Sequence, residues 1–153
     1  AYVGDGNNVA NSLLIGCAKV GMDISVATPK GYECDANSIN LAKEAAAVTG
    51  STIKITNNPH EAVENADVIY TDTWVSMGME SEKEERAKLF MPYQVNKELM
   101  QEAKSDAIFM HCLPAYRGYE VTADIIDGPQ SVVFDEAENR LHAQKAVLVK
   151  LMG

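Results

Sequence analysis

The chain has 153 residues, of which 46% are hydrophobic and 23% charged, and its formal net charge is −9 at pH 7. This length predicts one globular domain that buries roughly 68–70% of its unfolded surface. The negative charge and the lack of a Lys/Arg cluster argue against nucleic acid and anionic membranes, and no apolar run approaches the roughly 20 residues that cross a bilayer.

Short apolar runs alternate with helical patterns along the chain, a rhythm typical of a parallel sheet with crossover helices. The runs that predict strands are Tyr2–Val3, Ile24–Ala27, 53–55, 68–70, 107–110 and 132–134. We therefore expect an α/β fold of the doubly wound, Rossmann-like type. Its sheet should be mainly parallel, with about five strands and helices on both faces.

Between the first three runs, apolar residues recur at steps of four and three, which predicts two helices that end at Gly21 and Gly50. The residues with this spacing are Val9, Leu13, Cys17, Val20, Leu41, Ala45 and Val48. Asp35 and Asn37 are alternative N-caps for the second helix. Pro59 predicts the first turn of a short third helix.

A final helix is predicted over about 139–152, and its end is apolar on nearly every side. Such a helix is either buried or covered by a partner. Arg140 lies at its predicted beginning, where the helix dipole disfavours a cation. A cation held there suits an anionic or carbonyl ligand, although surface solvation is the ordinary explanation for a single arginine.

Three polar segments, 4–8, 72–78 and 111–114, each follow a predicted strand, where parallel sheets bind ligands. The first does not complete a dinucleotide motif, because Val9 replaces its last glycine and Thr28 stands where the ribose-binding acid belongs. Its glycines let the backbone approach a ligand. Asn7 or Asn8 can offer an amide donor to a carboxylate, or can simply cap the following helix.

Asp72 ends a strand and begins a loop rich in Ser, Met and Gly. Its carboxylate suits an ammonium group, while the backbone N–H groups of the loop suit a carboxylate. Together these groups describe a site for an amino acid. The alternative is that Asp72 caps a turn and that its neighbours are ordinary packing residues.

Cys112 follows His111, but adjacent residues on an extended segment point to opposite faces, which argues against a nucleophile–base pair. We interpret Cys112 as the polarizable wall or a weak hydrogen-bonding group of a pocket, with a buried inert cysteine as the alternative. Pro114 biases Leu113 toward an extended conformation that aims its carbonyl at a ligand. The three cysteines show no disulfide or zinc pattern, so we expect no metal and a cytoplasmic protein.

The order and spacing of these segments resemble the second, ornithine-binding domain of ornithine carbamoyltransferases across essentially the whole chain. The family pattern carries Asp-x-Trp-x-Ser-Met-Gly, His-Cys-Leu-Pro and a closing Glu-Asn-Arg. This sequence has all three, at 72–78, 111–114 and 138–140. The Ser-Met-Gly element distinguishes ornithine enzymes from aspartate carbamoyltransferases and also counts against putrescine enzymes.

The resemblance implies a site for L-ornithine. Asn8 and the Met77 backbone would hold its α-carboxylate, while Asp72 and Ser76 would hold its α-ammonium group.

The resemblance also implies contacts with carbamoyl phosphate. Cys112 would lie beside the reacting δ-amine, and the Leu113 carbonyl and Arg140 would contact the carbamoyl group. Cys112, Asp72 and Arg140 would thus be the catalytic residues of a reaction that gives citrulline and phosphate without a metal or an organic cofactor.

The family's phosphate-binding motifs, Ser-Thr-Arg-Thr and His-Pro-x-Gln, do not occur in this sequence. Residues 1–153 are therefore expected to be an ornithine-binding domain without turnover of its own, whose final helix packs on an absent carbamoyl-phosphate-binding domain. The complete enzyme is expected to be a homotrimer or a multiple of it. The alternatives are a carbamoyltransferase for another amine, such as putrescine, and a non-catalytic amino-acid-binding module.

Overall fold

In the computed structural model, which describes residues 1–75 and 83–153, a five-stranded sheet separates two layers of helices. The strands are β1 (Tyr2–Val3), β2 (Ile24–Ala27), β3 (Ile53–Thr56), β4 (Val68–Thr71) and β5 (Ile108–His111). Their order across the sheet is β3-β2-β1-β4-β5, and every neighbouring pair is parallel. The predicted α/β fold with a parallel sheet is confirmed.

Helices pack on both faces of this sheet. They are α1 (Asn8–Val20), α2 (Ala36–Thr49), α3 (Pro59–Val63), α4 (Lys83–Phe90), α5 (Lys97–Met100), α6 (Ala123–Ile126) and α7 (Val133–Met152). Because successive strand residues point to opposite faces, Tyr2 joins the core under α1 and α2, whereas Val3 joins the core under α3, α5 and α6. The sheet is thus wound on both sides, as predicted.

The predicted helix boundaries in the first half of the chain are confirmed by their caps. Gly21 and Gly50 end α1 and α2 in the left-handed conformation, with φ of 76° and 80°. Of the two candidate N-caps for α2, Asp35 is the one that accepts a hydrogen bond from a backbone N–H of the first turn. Pro59 is the first residue of α3.

The strand predicted over 132–134 is wrong, because α7 begins at Val133. An apolar run this short fits a strand or a helix equally well, so periodicity does not separate the two. Val133 is 2% exposed and packs under the sheet, whereas Phe134 is 77% exposed. Since the helix begins at Val133 and not near 139, Arg140 lies well inside it, and the dipole argument for Arg140 is wrong.

Helix α7 leaves the rest of the domain soon after it begins. From Ala137 to the last residue, every side chain is exposed. Large apolar residues share this surface: Leu141, Val147, Leu148, Val149, Leu151 and Met152. No helix within the described residues 1–75 and 83–153 has the length and apolar character to cross a membrane.

Candidate functional site

The candidate site lies where β1 and β4 end side by side, at the point where the strand order reverses. Crevices at such points bind ligands in open parallel sheets, because the loops that leave neighbouring strands diverge there. The Thr71 hydroxyl donates a hydrogen bond of 2.6 Å to the Val3 carbonyl and fastens the two strand ends together. The three polar segments singled out in the sequence follow β1, β4 and β5, so they share this edge of the sheet.

Asp72, directly after β4, is the centre of this site. Its Oδ2 accepts a hydrogen bond from Asn7 Nδ2 at 2.7 Å. Its Oδ1 accepts one from the Thr73 N–H at 2.8 Å and one from the Cys112 thiol at 3.1 Å. One carboxylate therefore connects the loops that follow β1, β4 and β5, and all three of these donors are neutral groups.

Asn7 is the N-cap of α1, and this role fixes the orientation of its amide. Its Oδ1 accepts hydrogen bonds from the N–H groups of Val9 and Ala10 at 2.9 and 3.2 Å, so its Nδ2 faces Asp72. Asn8, predicted to bind a carboxylate, is the exposed first residue of α1. Its role stays a prediction, whereas Asn7 is the asparagine that contacts Asp72.

Gly6 is required by a contact within the protein. A Cβ at this position would lie 2.4 Å from the backbone nitrogen of Cys34, which is far inside van der Waals contact. The Gly6 N–H also donates a hydrogen bond of 2.9 Å to the Tyr32 carbonyl. The glycine turn predicted a close approach of the backbone to a ligand. At Gly6 the backbone instead closely approaches another part of the protein, the segment after β2.

Cys112 is a neutral thiol in this setting. Burial raises its pKa to about 12, and the hydrogen bond to Asp72 and the charges of Asp72 and Glu136 act in the same direction. A thiol with this pKa is almost wholly protonated near pH 7, so it is a poor nucleophile. The geometry suits a polarizable, hydrogen-bonding wall of a pocket.

His111 is fully buried, and neither of its ring nitrogens is hydrogen-bonded to the Cys112 thiol. Its Nδ1 accepts a hydrogen bond of 2.9 Å from the Leu113 N–H, and its Nε2 lies 3.3 Å from the buried carboxylate of Glu120. Both ring nitrogens are thus engaged in holding the segment after β5. A general-base role for His111 toward Cys112 has no geometric support.

Leu113 does not have the extended conformation predicted from the proline that follows it. Its φ is +56°, and the peptide bond to Pro114 is cis. The hydrogen bond from its N–H back to His111 accounts for this turn. A left-handed conformation is unusual for a branched residue and is typical of strained positions at functional sites.

The ligand-type atoms of Asp72, His111 and Cys112 lie within 4.8 Å of one another, a set of O, N and S atoms of the kinds that bind zinc. Each of them also takes part in a hydrogen bond within the protein, from Cys112 to Asp72 and from the Leu113 N–H to His111. These bonds account for the compact arrangement, so its geometry does not require an ion.

Tyr70 and Glu136 complete the back of the site. The Tyr70 hydroxyl donates to Glu136 Oε1 at 2.5 Å, and the backbone N–H of His111 donates to Glu136 Oε2 at 2.9 Å. Burial and the neighbouring Glu136 raise the pKa of Tyr70 well above its usual range. Neither residue was predicted as part of the site, because the two are 66 positions apart and no local pattern relates them.

A buried ion pair supports the segment after β4. Arg86, which is 3% exposed, donates from its guanidinium to the Asp5 carboxylate and, at 2.6 Å, to the Trp74 carbonyl. Its guanidinium carbon lies 4.8 and 4.9 Å from the ring centroids of Tyr32 and Phe90. Burial raises the pKa of Asp5, and Arg86 opposes that shift. This contact fastens the loop after β1 to the segment that follows Asp72.

Among the described residues, no hydrogen bond joins the predicted site residues Leu113 and Arg140 to Asp72 or Cys112. Ser76 and Met77 lie outside the described residues. Leu113 is half-buried beside the site, whereas Arg140 is exposed on α7. The structure therefore brings Asp72 and Cys112 together, and the roles predicted for the others stay predictions.

Comparison with known proteins gives one consistent result. Residues 1–151 match the family model described as aspartate/ornithine carbamoyltransferase, Asp/Orn binding domain. Ornithine carbamoyltransferase of Caldicellulosiruptor saccharolyticus is 65% identical over 149 residues, which cover 97% of this chain and 48% of that protein. The enzyme of Thermococcus kodakarensis is 62% identical over 152 residues, which cover 99% of this chain and 48% of that protein.

Solved structures of the same kind are similar over nearly the whole chain. Ornithine carbamoyltransferase from Gloeobacter violaceus superposes with a TM-score of 0.92 at 52% identity, covering 99% of this chain and 50% of that one. The Pyrococcus furiosus enzyme gives a TM-score of 0.92 at 61% identity, covering 96% and 47%. The chain spans about half the length of the curated relatives that it matches.

Proposed function

We propose that this chain, which belongs to the aspartate/ornithine carbamoyltransferase family through its Asp/Orn-binding domain, is the ornithine-binding half of an ornithine carbamoyltransferase. The complete enzyme transfers the carbamoyl group of carbamoyl phosphate to the δ-amine of L-ornithine and gives L-citrulline and phosphate, a step of arginine biosynthesis. The observation that carries the proposal is the contact between Asp72 and Cys112 at the strand ends. It joins a carboxylate suited to an ammonium group with a neutral thiol.

The α-amino end of ornithine is assigned to Asp72. The three donors that reach its carboxylate from the described residues are neutral, so none of them compensates its negative charge. An α-ammonium group supplies the missing positive charge and forms a charge-assisted hydrogen bond. In this proposal Ser76 shares the ammonium group, while Asn8 and the Met77 backbone hold the α-carboxylate.

The δ-amine is assigned to the neighbourhood of Cys112. An amine with a pKa of about 10.4 must lose a proton before it attacks, which costs roughly 4.6 kcal/mol at pH 7. A thiolate beside the nitrogen would raise this cost by stabilising the ammonium form. The raised pKa of Cys112 keeps the thiol neutral, so the thiol contacts the amine without stabilising its ammonium form.

The transfer step forms one bond and breaks another. The neutral δ-nitrogen attacks the carbamoyl carbon, its C–N bond forms, and the bond from that carbon to the phosphate oxygen breaks. Phosphate leaves with the electron pair and takes up the proton that the nitrogen loses. The Leu113 carbonyl and Arg140 are proposed to orient the carbamoyl group, and Arg140 stabilises the oxyanion that develops on it.

Because the chain spans about half of its relatives' length, we propose that turnover needs a carbamoyl-phosphate-binding half on which α7 packs. Alignment of two reactants contributes roughly 7–11 kcal/mol, so a chain that binds only one of them lacks the main source of catalysis. We further propose a cytoplasmic homotrimer, or a multiple of it, for the complete enzyme. Light scattering of that enzyme tests the oligomeric state.

The test measures the carbamoylated product of each amine, which is citrulline for ornithine, with the complete enzyme and with this chain alone, and with ornithine, putrescine and N-acetylornithine as amines. We expect turnover by the complete enzyme with ornithine and none by the isolated chain. Turnover with another amine in preference to ornithine would assign the enzyme to a different substrate. Ornithine binding without turnover by the complete enzyme would identify a non-catalytic amino-acid-binding module.

A further inference from the structure

Helix α7 is attached to the described part of the domain through its first turn. Val133 is 2% exposed and belongs to the core below the sheet. Glu136 is half-buried, and every residue after it is exposed. The direction in which this long helix leaves the sheet is therefore set by contacts made at one end.

A backbone hydrogen bond of 3.0 Å from the Val132 N–H to the Phe109 carbonyl supports the start of the helix. Glu136 provides the side-chain part of the polar attachment and connects two strands. Its Oε1 accepts the hydroxyl of Tyr70, which lies on β4, at 2.5 Å. Its Oε2 accepts the backbone N–H of His111, the last residue of β5, at 2.9 Å. Two bonds in different directions fix both the position and the rotation of the helix, which the burial of Val133 in the core does not do by itself.

The same carboxylate connects two parts of the proposed active site. His111 directly precedes Cys112, so the bond to its N–H holds the strand end from which the thiol projects. Arg140 lies four residues after Glu136 on α7, which puts the two side chains on the same side of the helix and about one turn apart. A rotation of α7 about its axis therefore moves Arg140 relative to Cys112.

We propose that Glu136 is a positioning residue, which sets the distance between Cys112 and Arg140 by fastening α7 to Tyr70 and to the backbone of His111. Its catalytic consequence rests on the proposed function, whereas the attachment itself does not. Glu136 acts through the geometry of its two hydrogen bonds and not through its charge. A glutamine can keep both bonds, because its oxygen accepts from His111 and its amide donates to the Tyr70 hydroxyl, which also accepts hydrogen bonds.

The two hydrogen bonds can therefore be tested with one conservative and one disruptive substitution of Glu136. Glu136→Gln keeps both contacts, so kcat should stay within about threefold of the wild-type value. Glu136→Ala removes both, and kcat should fall about tenfold to a hundredfold, the loss typical of misplaced catalytic groups. KM for ornithine should change by less than about threefold, because the contacts of Asp72 with Asn7 and Thr73 do not involve Glu136. Asp135→Asn, an exposed acidic neighbour on α7, is the matched control and should behave like wild type.

The kinetic test uses the complete enzyme, with kcat calculated per folded molecule. An alanine variant with the wild-type kcat would overturn the proposal, and so would a glutamine variant that falls as far as alanine. If the alanine variant does not fold, Glu136→Met replaces it, since it removes both bonds and keeps a side chain of similar length. Its kcat should fall severalfold below that of Glu136→Gln, and a Glu136→Met enzyme with the wild-type kcat would overturn the proposal.

A second measurement separates this inference from the proposed function. Hydrogen exchange of the His111 amide should become at least about tenfold faster in Glu136→Ala than in wild type, and should not change in Asp135→Asn. Unchanged exchange would show that Glu136 does not hold this strand end, whatever the substrate is. A complete wild-type enzyme that makes no citrulline, together with the expected change in exchange, would instead refute the proposed function alone.

Discussion

The Cys112 thiol donates a hydrogen bond to Asp72 Oδ1 at 3.1 Å, although 40 residues separate the two in sequence. A thiol in this setting should react slowly with alkylating reagents. With a pKa of about 12, roughly one Cys112 side chain in ten thousand is a thiolate at pH 8. Cys112 should therefore react with iodoacetamide far more slowly than a small free thiol, and its rate should rise about tenfold per pH unit up to pH 11.

Alkylation of Cys112 is measured by mass spectrometry of its peptide, which separates it from Cys17 and Cys34. The Asp72→Asn variant supplies the internal comparison. Removing that carboxylate removes a charge that raises the pKa, so alkylation of Cys112 at pH 8 should become several times faster. A wild-type Cys112 that reacts at pH 8 as fast as a model thiol would contradict the neutral-thiol account.

Replacing Arg86 with methionine should destabilise the fold strongly. Arg86 is the cation that pairs with the buried Asp5 carboxylate, and losing one partner of a buried pair costs about 3–5 kcal/mol. Urea unfolding of wild type and variant measures the difference in the free energy of unfolding.

Arg117→Met is the matched control, because Arg117 and Asp127 form an exposed ion pair. Its free energy of unfolding should barely differ from that of wild type. A further Asp5→Asn substitution in the Arg86→Met chain should recover part of the loss. Equal stability of Arg86→Met and wild type would show that the buried pair contributes nothing.

Lysine substitutions at Leu148 and Leu151 should affect assembly and not folding. These side chains are 55% and 77% exposed on α7. Substitutions at such positions change the free energy of unfolding of this chain by less than about 0.5 kcal/mol. In the complete enzyme they should lower activity at least tenfold, because α7 is proposed to pack on the other half. Full activity of the double variant would refute that packing.

Much of the fold was predictable because its signals are local. The glycines after α1 and α2, the aspartate before α2 and the proline at α3 each act within one turn of helix, and all four mark the boundaries found in the structure. The strand prediction for 132–134 was wrong because three apolar residues show too little periodicity to distinguish a strand from the start of a helix. The position of Arg140 within α7 was misjudged for the same reason.

The site was predictable in location but not in its contacts. The rule that ligands lie at the strand ends brought Asp72 and Cys112 to one edge of the sheet. Which of two adjacent asparagines faces Asp72 depends on the exact start of α1, and that boundary is uncertain by more than one residue from sequence. The bond between Tyr70 and Glu136 joins a strand to a helix far along the chain, so no local pattern indicates it.

The most direct test of the central claim is a calorimetric titration of L-ornithine into the complete enzyme saturated with a carbamoyl phosphate analogue. Asp72→Asn is compared with wild type and with Asp67→Asn, whose carboxylate is exposed. A hydrogen bond to a charged group contributes about 1.5–3 kcal/mol, so Asp72→Asn should weaken binding about tenfold to a hundredfold, and Asp67→Asn should leave it unchanged. Equal ornithine affinity in wild type and Asp72→Asn would contradict the assignment of Asp72 to the α-ammonium group and, with it, the proposed site.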